Sequence, residues 1–152
     1  MSFVASGNGS TPAEQIENDG FFPAIAPEDF RAVMREDKSV PNARLEAVLI
    51  EAMISVNREL TPLRANHPEA GTLADVTAPT VKGESTLVHR YRRAVYSLAK
   101  AELMERYVDY DSTNSAQGKS EQKQLTADEH RRNARWAISD LLGRPRVKVE
   151  LI

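Results

Sequence analysis

The chain has 152 residues, of which 41% are hydrophobic and 28% charged, with a net charge of −2 and no cysteine. That length suits one domain with a modest core. The composition excludes disulfides, thiol nucleophiles and thiolate metal sites, and it leaves no overall basic field to draw the protein onto nucleic acid or an anionic membrane.

Residues 1–20 are small, polar and acidic, with almost nothing to bury, and read as a mobile N-terminal arm. They lack the basic start and apolar run of a signal peptide. No stretch of the chain approaches the roughly 20 apolar residues that span a bilayer, so a soluble protein without membrane contact is expected. Phe21, Phe22, Pro23 and Ile25 follow directly. Large apolar groups after a polar arm need cover, so these residues are expected to anchor the N-terminal segment on the chain's own core or on a neighbour.

Pro27-Glu28-Asp29 starts a short helix over about 27–37, since proline presets φ and the two acids face the positive end of the helix dipole. A long helix is predicted from about Pro41 to Asn66. At 100° per residue, Leu45, Leu49, Met53, Val56 and Leu60 form its main stripe. Ala43, Ala47, Ile50 and Ile54 form a second apolar strip beside it. Pro62 ends or kinks this helix because it lacks the donor. Residues 67–83 connect, with one helical turn at 72–76 and breaks at Pro79 and Gly83.

The third long helix runs from about Glu84 to Val108, with Leu87, Val88, Tyr91, Ala94, Val95, Leu98 and Ala101 as its stripe. Residues 109–124 have nearly no apolar groups and read as a mobile loop. The fourth helix opens at Thr126 with Glu129 three residues on, a capping-box pattern, and closes at Gly143 before Pro145. Ala127, Ala134, Ile138 and Leu141 make its stripe. The fold class is therefore mainly α, a small bundle of about four helices. A helical core at 21–143 lies between the N-terminal arm and an extended C-terminal tail at 144–152. In that tail Val147, Val149 and Leu151 alternate with Lys148, Glu150 and Ile152 behind Arg144 and Arg146, a strand pattern. The core has no obvious strand to pair with it, although the connection at 76–82 can supply a short one. An unpaired strand suits addition to a sheet edge on another protein.

Candidate chemistry is thin. His67, His89 and His130 stand apart, and no metal, phosphate-loop or nucleophile-elbow motif is present, so no cofactor and no catalysis are expected. Two basic runs interleave with aromatics: Arg90, Arg92 and Arg93 around Tyr91, and Arg131, Arg132 and Arg135 beside Trp136. They are either solvated faces balanced by acids or grips for DNA phosphates passing close by. Tyr96, Leu103 and Tyr107 lie on the back of the third helix, and Trp136 on the back of the fourth. Either the chain's own termini and connections cover them or they are contact faces between subunits, for which tyrosine and tryptophan are suited.

The order of short matches over Phe21 to Ile152 resembles the head completion proteins (L-type head stabilisation proteins) of contractile-tailed phages. It rests on Phe21-Phe22-Pro23 with Ile25 and Pro27, Arg35, Ala43-Arg44-Leu45, Asn57, Glu59-Leu60 and Leu73-Ala74-Asp75-Val76. It continues with Gly83-Glu84-Ser85, Tyr91, Arg93-Ala94-Val95, Glu105-Arg106-Tyr107, Arg135-Trp136-Ala137 and Pro145-Arg146. Residues 1–20 and 109–124 take no part in it. The resemblance implies a small helical adaptor at the head-tail junction of the virion, assembled in the host cytoplasm. It implies a homo-oligomeric ring of twelve under the portal protein after DNA packaging, which retains DNA and offers a platform to a tail completion or neck protein. Arg144, Arg146, Val147, Lys148, Val149, Glu150, Leu151 and Ile152 are the expected portal-docking residues. The rival expectation is a helical nucleic-acid-binding regulator that uses the arginine runs.

Overall fold

The computed structural model describes residues 14–108 and 117–146, with the side chains of 14–106 and 126–146. Five helices follow in order: α1 (Pro27–Met34), α2 (Asn42–Glu59), α3 (Thr61–Ala65), α4 (Thr86–Val108) and α5 (Gln117–Leu141). A single 3-10 turn covers Leu73–Asp75, and a two-residue pair of strands, β1 (Thr80–Val81) and β2 (Glu84–Ser85), precedes α4. The protein is mainly α, as the hydrophobic periodicity predicts.

The helix breaks have local causes. α1 stops at Arg35, which takes a left-handed conformation (φ 52°, ψ 45°) and lets the Glu36 amide reach back to the Arg31 carbonyl at 3.0 Å. The long helix expected over 41–66 is two helices, because Pro62 cannot donate to the preceding turn and starts a new segment instead. β1 and β2 pair antiparallel, Val81 opposite Glu84, through Lys82 and Gly83. Both turn residues have positive φ (53° and 75°), as a type I′ hairpin requires. The connection at 76–82 does contain a short strand, and it pairs with the residues just after it.

α5 corrects the sequence reading. It begins at Gln117, nine residues before the expected start, so 117–124 is helix rather than loop and Thr126 is interior. The missing apolar residues suggested a loop. Gln, Lys and Glu, however, form helix readily without burying anything. Residues 109–116 lie outside the described residues. At its other end α5 closes as expected. The Arg144 amide reaches the Ser139 carbonyl (2.9 Å), the Gly143 amide reaches that of Asp140 (3.2 Å), and Gly143 has φ 65°. This is the paired closure that a left-handed glycine permits.

α4 is the central helix: it packs against both α2 and α5, while those two hardly touch. Tyr91, Ala94, Val95, Ala99 and Ala101 are fully buried on it. Leu45, Leu49, Met53 and Val56 join its core from α2, Leu60 from the residue that closes α2, and Ala137, Ile138 and Leu141 from α5. Phe21, Phe22, Ile25, Leu63, Leu73 and Val76 close the core from the N-terminal segment and the connection.

Candidate assembly surfaces

The N-terminal anchor residues are placed by a strap that starts earlier than residue 21. Ile16 and Ile25 exchange backbone hydrogen bonds of 2.7 and 3.0 Å, which folds the segment into a tight antiparallel loop. Within it one Asp19 carboxylate oxygen accepts the amides of Phe21 and Phe22, both at 3.0 Å. The turn aims both rings inward. Phe22 stacks on Tyr91 with centroids 5.1 Å apart, and Phe21 meets Phe22 edge to face at 5.0 Å. Arg64 covers Phe21 from outside, 5.3 Å above its ring, and pairs with Asp19 at 3.0 Å. Phe21, Phe22 and Ile25 are thus buried in the chain's own core, with Pro23 half-buried beside them. The arm expected over 1–20 gives up its last five residues to the fold.

Beneath the strap lies a closed polar ring. Tyr91 donates its hydroxyl proton to Asn57 Oδ1 (2.6 Å), Asn57 Nδ2 donates to Asn18 Oδ1 (2.8 Å), and Asn18 Nδ2 donates to Tyr91 Oη (2.8 Å). Asn18 also reaches the Pro23 carbonyl at 2.9 Å. Burial holds the Tyr91 phenol well above its ordinary range. Each group satisfies the next, which is the condition for keeping polar atoms against a core.

The expected subunit-contact residues divide. Tyr96 and Leu103 are only 4% and 1% exposed. They are core residues, which corrects the expectation that they form an open back face. α1 covers Tyr96, whose ring meets Phe30 edge to face at 5.6 Å, and Leu103 sits under the α1–α2 connection beside Glu36 and Ser39. The side chain of Tyr107 lies outside the described residues. Trp136 is half-buried on α5.

The arginines also divide. Arg92 chelates Glu84 (2.6 and 2.8 Å), a pairing that holds the Glu84 carboxyl below its usual range, and Arg131 chelates Glu105 (3.2 and 2.5 Å). These two arginines are committed to their glutamates. Arg132 stacks over Trp136 at 4.7 Å, and Arg146 covers the same indole at 5.1 Å. Arg146 also chelates Asp140 (3.2 and 2.6 Å) and keeps that carboxyl below its usual range. Arg90 lies 3.9 Å from Asp140, and Arg93 lies in the same field. Arg93, Arg135 and Arg144 are exposed. The root of the C-terminal tail is therefore clasped onto α5 by Arg146. Val147, Lys148, Val149, Glu150, Leu151 and Ile152 lie outside the described residues.

Sequence reasoning did not anticipate the Trp136–Arg146 clasp, because it joins an off-stripe residue to one beyond the helix end. The spacing of Asp140 and Arg146 across Gly143 was the available signal. No group of three or more potential metal ligands occurs among the described residues. His130 is half-buried, and burial lowers its pKa. Among the described helices none is long and apolar enough to cross a membrane.

A family model described as phage head completion protein matches residues 16–152. The chain is 39% identical over 139 residues to the head completion/stabilization protein of Escherichia phage P2, covering 90% of this chain and 82% of that protein. It is 26% identical over 142 residues to the probable head completion/stabilization protein of Haemophilus phage HP1, covering 90% and 91%. No solved structure matches it.

Proposed function

This chain belongs to the phage head completion protein family, and we propose that it is a virion structural subunit that completes and stabilises the phage head by binding rather than by catalysis. The observation that carries this reading is the family match itself, which begins at the residue where the ordered strap begins and runs to the C-terminus. In the finer form of the proposal, copies form a ring of twelve at the head-tail junction, under the portal. The ring assembles in the host cytoplasm after packaging, helps retain the DNA that passes nearby without reading its sequence, and offers a platform to the tail completion or neck protein. Repetition around a ring multiplies weak contacts, so avidity does the holding.

The C-terminal segment from Arg146 to Ile152 is the proposed portal contact, by strand addition. Its alternating pattern supports this, and so does the clasp that gives it a defined root on α5. The test removes residues 147–152 and leaves the clasp. The shortened protein is expected to keep its helical circular dichroism and thermal midpoint and to fail to join purified portal-bearing heads. Normal docking of a folded shortened protein would sink strand addition. Protein that stays monomeric when mixed with portal assemblies, judged by mass and electron microscopy, would overturn the ring.

A further inference from the structure

The strip of Ala43, Ala47, Ile50 and Ile54 points away from α4, opposite the buried stripe of α2. Ile50 is 38% exposed and Ile54 53%. A helix of a small monomer keeps that side polar. The strip is bordered in its middle turns by exposed Glu46 and Glu51, with Arg44 and Arg58 near its ends. The outward face of α5 shows the converse pattern. There Trp136 stands among Arg132, Arg135 and Arg146, with Asp128 and Glu129 about two turns earlier. Because α2 and α5 both pack on α4 and hardly touch each other, the two faces are separate surfaces of one molecule.

Resting on the ring reading above, we infer that these two faces dock on one another between neighbouring copies, α2 of one against α5 of the next. The charges align when the helices run antiparallel. Arg58 then faces Asp128 and Glu129, Glu51 faces Arg135, Ile50 meets Trp136, and Ala47 meets Ser139. Such a contact joins two different patches head to tail, the kind of interface that generates rings rather than two-fold dimers. Its centre is a tryptophan flanked by arginines, the composition in which binding energy concentrates. A second copy fits these observations better than nucleic acid does. Phosphates would satisfy the arginines but leave both isoleucines of α2 uncovered.

The absence of cysteine makes the test clean. Full-length Ala47→Cys and Ser139→Cys proteins, each checked for wild-type thermal unfolding, are oxidised separately and as an equimolar mixture. Ala47 is exposed and Ser139 is on the outward side of α5, so neither change touches the core. The expected result is a covalent dimer in the mixture at several times the yield of either protein alone. Dimer from Ala47→Cys alone would show a two-fold contact through α2 and overturn the proposal. So would a mixture yield no higher than that of Val33→Cys with Ser139→Cys, Val33 being 65% exposed on α1. Duplex DNA that binds the wild-type chain in a salt-sensitive way, and a mixture that gives no excess cross-link, would together assign the arginines to nucleic acid and also overturn it. Rings that still form on portal while this cross-link fails would leave the ring reading standing and reject only the faces.

Discussion

Replacing Tyr91 with phenylalanine keeps the ring that stacks on Phe22 and removes only the hydroxyl. Asn57 then loses its donor and Asn18 one acceptor, both in a partly buried site. Leaving such groups unmet costs about 1–3 kcal/mol. Tyr91→Phe is therefore expected to lower unfolding stability by that amount in urea, with an unchanged denaturant slope. Tyr96 has a different signature. Burial pushes its phenol up to about 12, against about 10 in an unfolded chain. A raised folded-state pKa stabilises fully below the unfolded value, and the contribution is lost as pH rises from about 10 toward 12. The native protein should weaken across that window. Tyr96→Phe should flatten that part of the stability–pH curve, and a curve of unchanged steepness would contradict the burial of the phenol.

At the scale of elements, Gly143 carries the clearest local prediction. Its φ of 65° is left-handed, and a Cβ built there meets nothing within 4 Å. An alanine would therefore act through backbone conformation alone, at about 1–2 kcal/mol. Hydrogen exchange should show the last turn of α5 opening more readily in Gly143→Ala, with the middle of α4 changed far less. The elements themselves were legible wherever a helix buries one stripe. Leu45, Leu49, Met53, Val56 and Leu60 on α2, and Ala127, Ala134, Ile138 and Leu141 on α5, are buried as their spacing predicts. The reading failed where that premise fails. α4 is packed by α1, α2 and α5 together, so Tyr96 and Leu103, set apart from its main stripe, are as buried as the stripe itself. The sequence of the first turns of α5 has no apolar stripe, so periodicity could not see them. The strap was half legible. The need to cover Phe21 and Phe22 was plain, but not the role of Asn18, whose partners lie 39 and 73 residues away in sequence.

At the scale of the whole molecule, α4 organises everything else. It carries both α2 and α5, and the N-terminal strap closes over the end of α4 that holds Tyr91. The surfaces proposed for assembly were legible only as composition. An apolar strip on α2, a tryptophan off the stripe of α5 and two arginine runs could each be picked out. Which arginines are already held by glutamates depends on distances between helices, and no spacing along the chain reports those.

The ring of Asn18, Asn57 and Tyr91 has a consequence in time as well as in space. Joining residue 18 to residue 91 closes a long loop, and α2 and α4 can pack before that closure is made. The strap is then the last part to settle and the first to leave. Asn18→Ala is expected to speed unfolding several-fold in stopped-flow experiments while leaving the refolding rate nearly unchanged, the behaviour of a contact that forms after the transition state. On this expectation, strengthening the contacts of Asn18 would lengthen the lifetime of the folded subunit more than it would speed its folding.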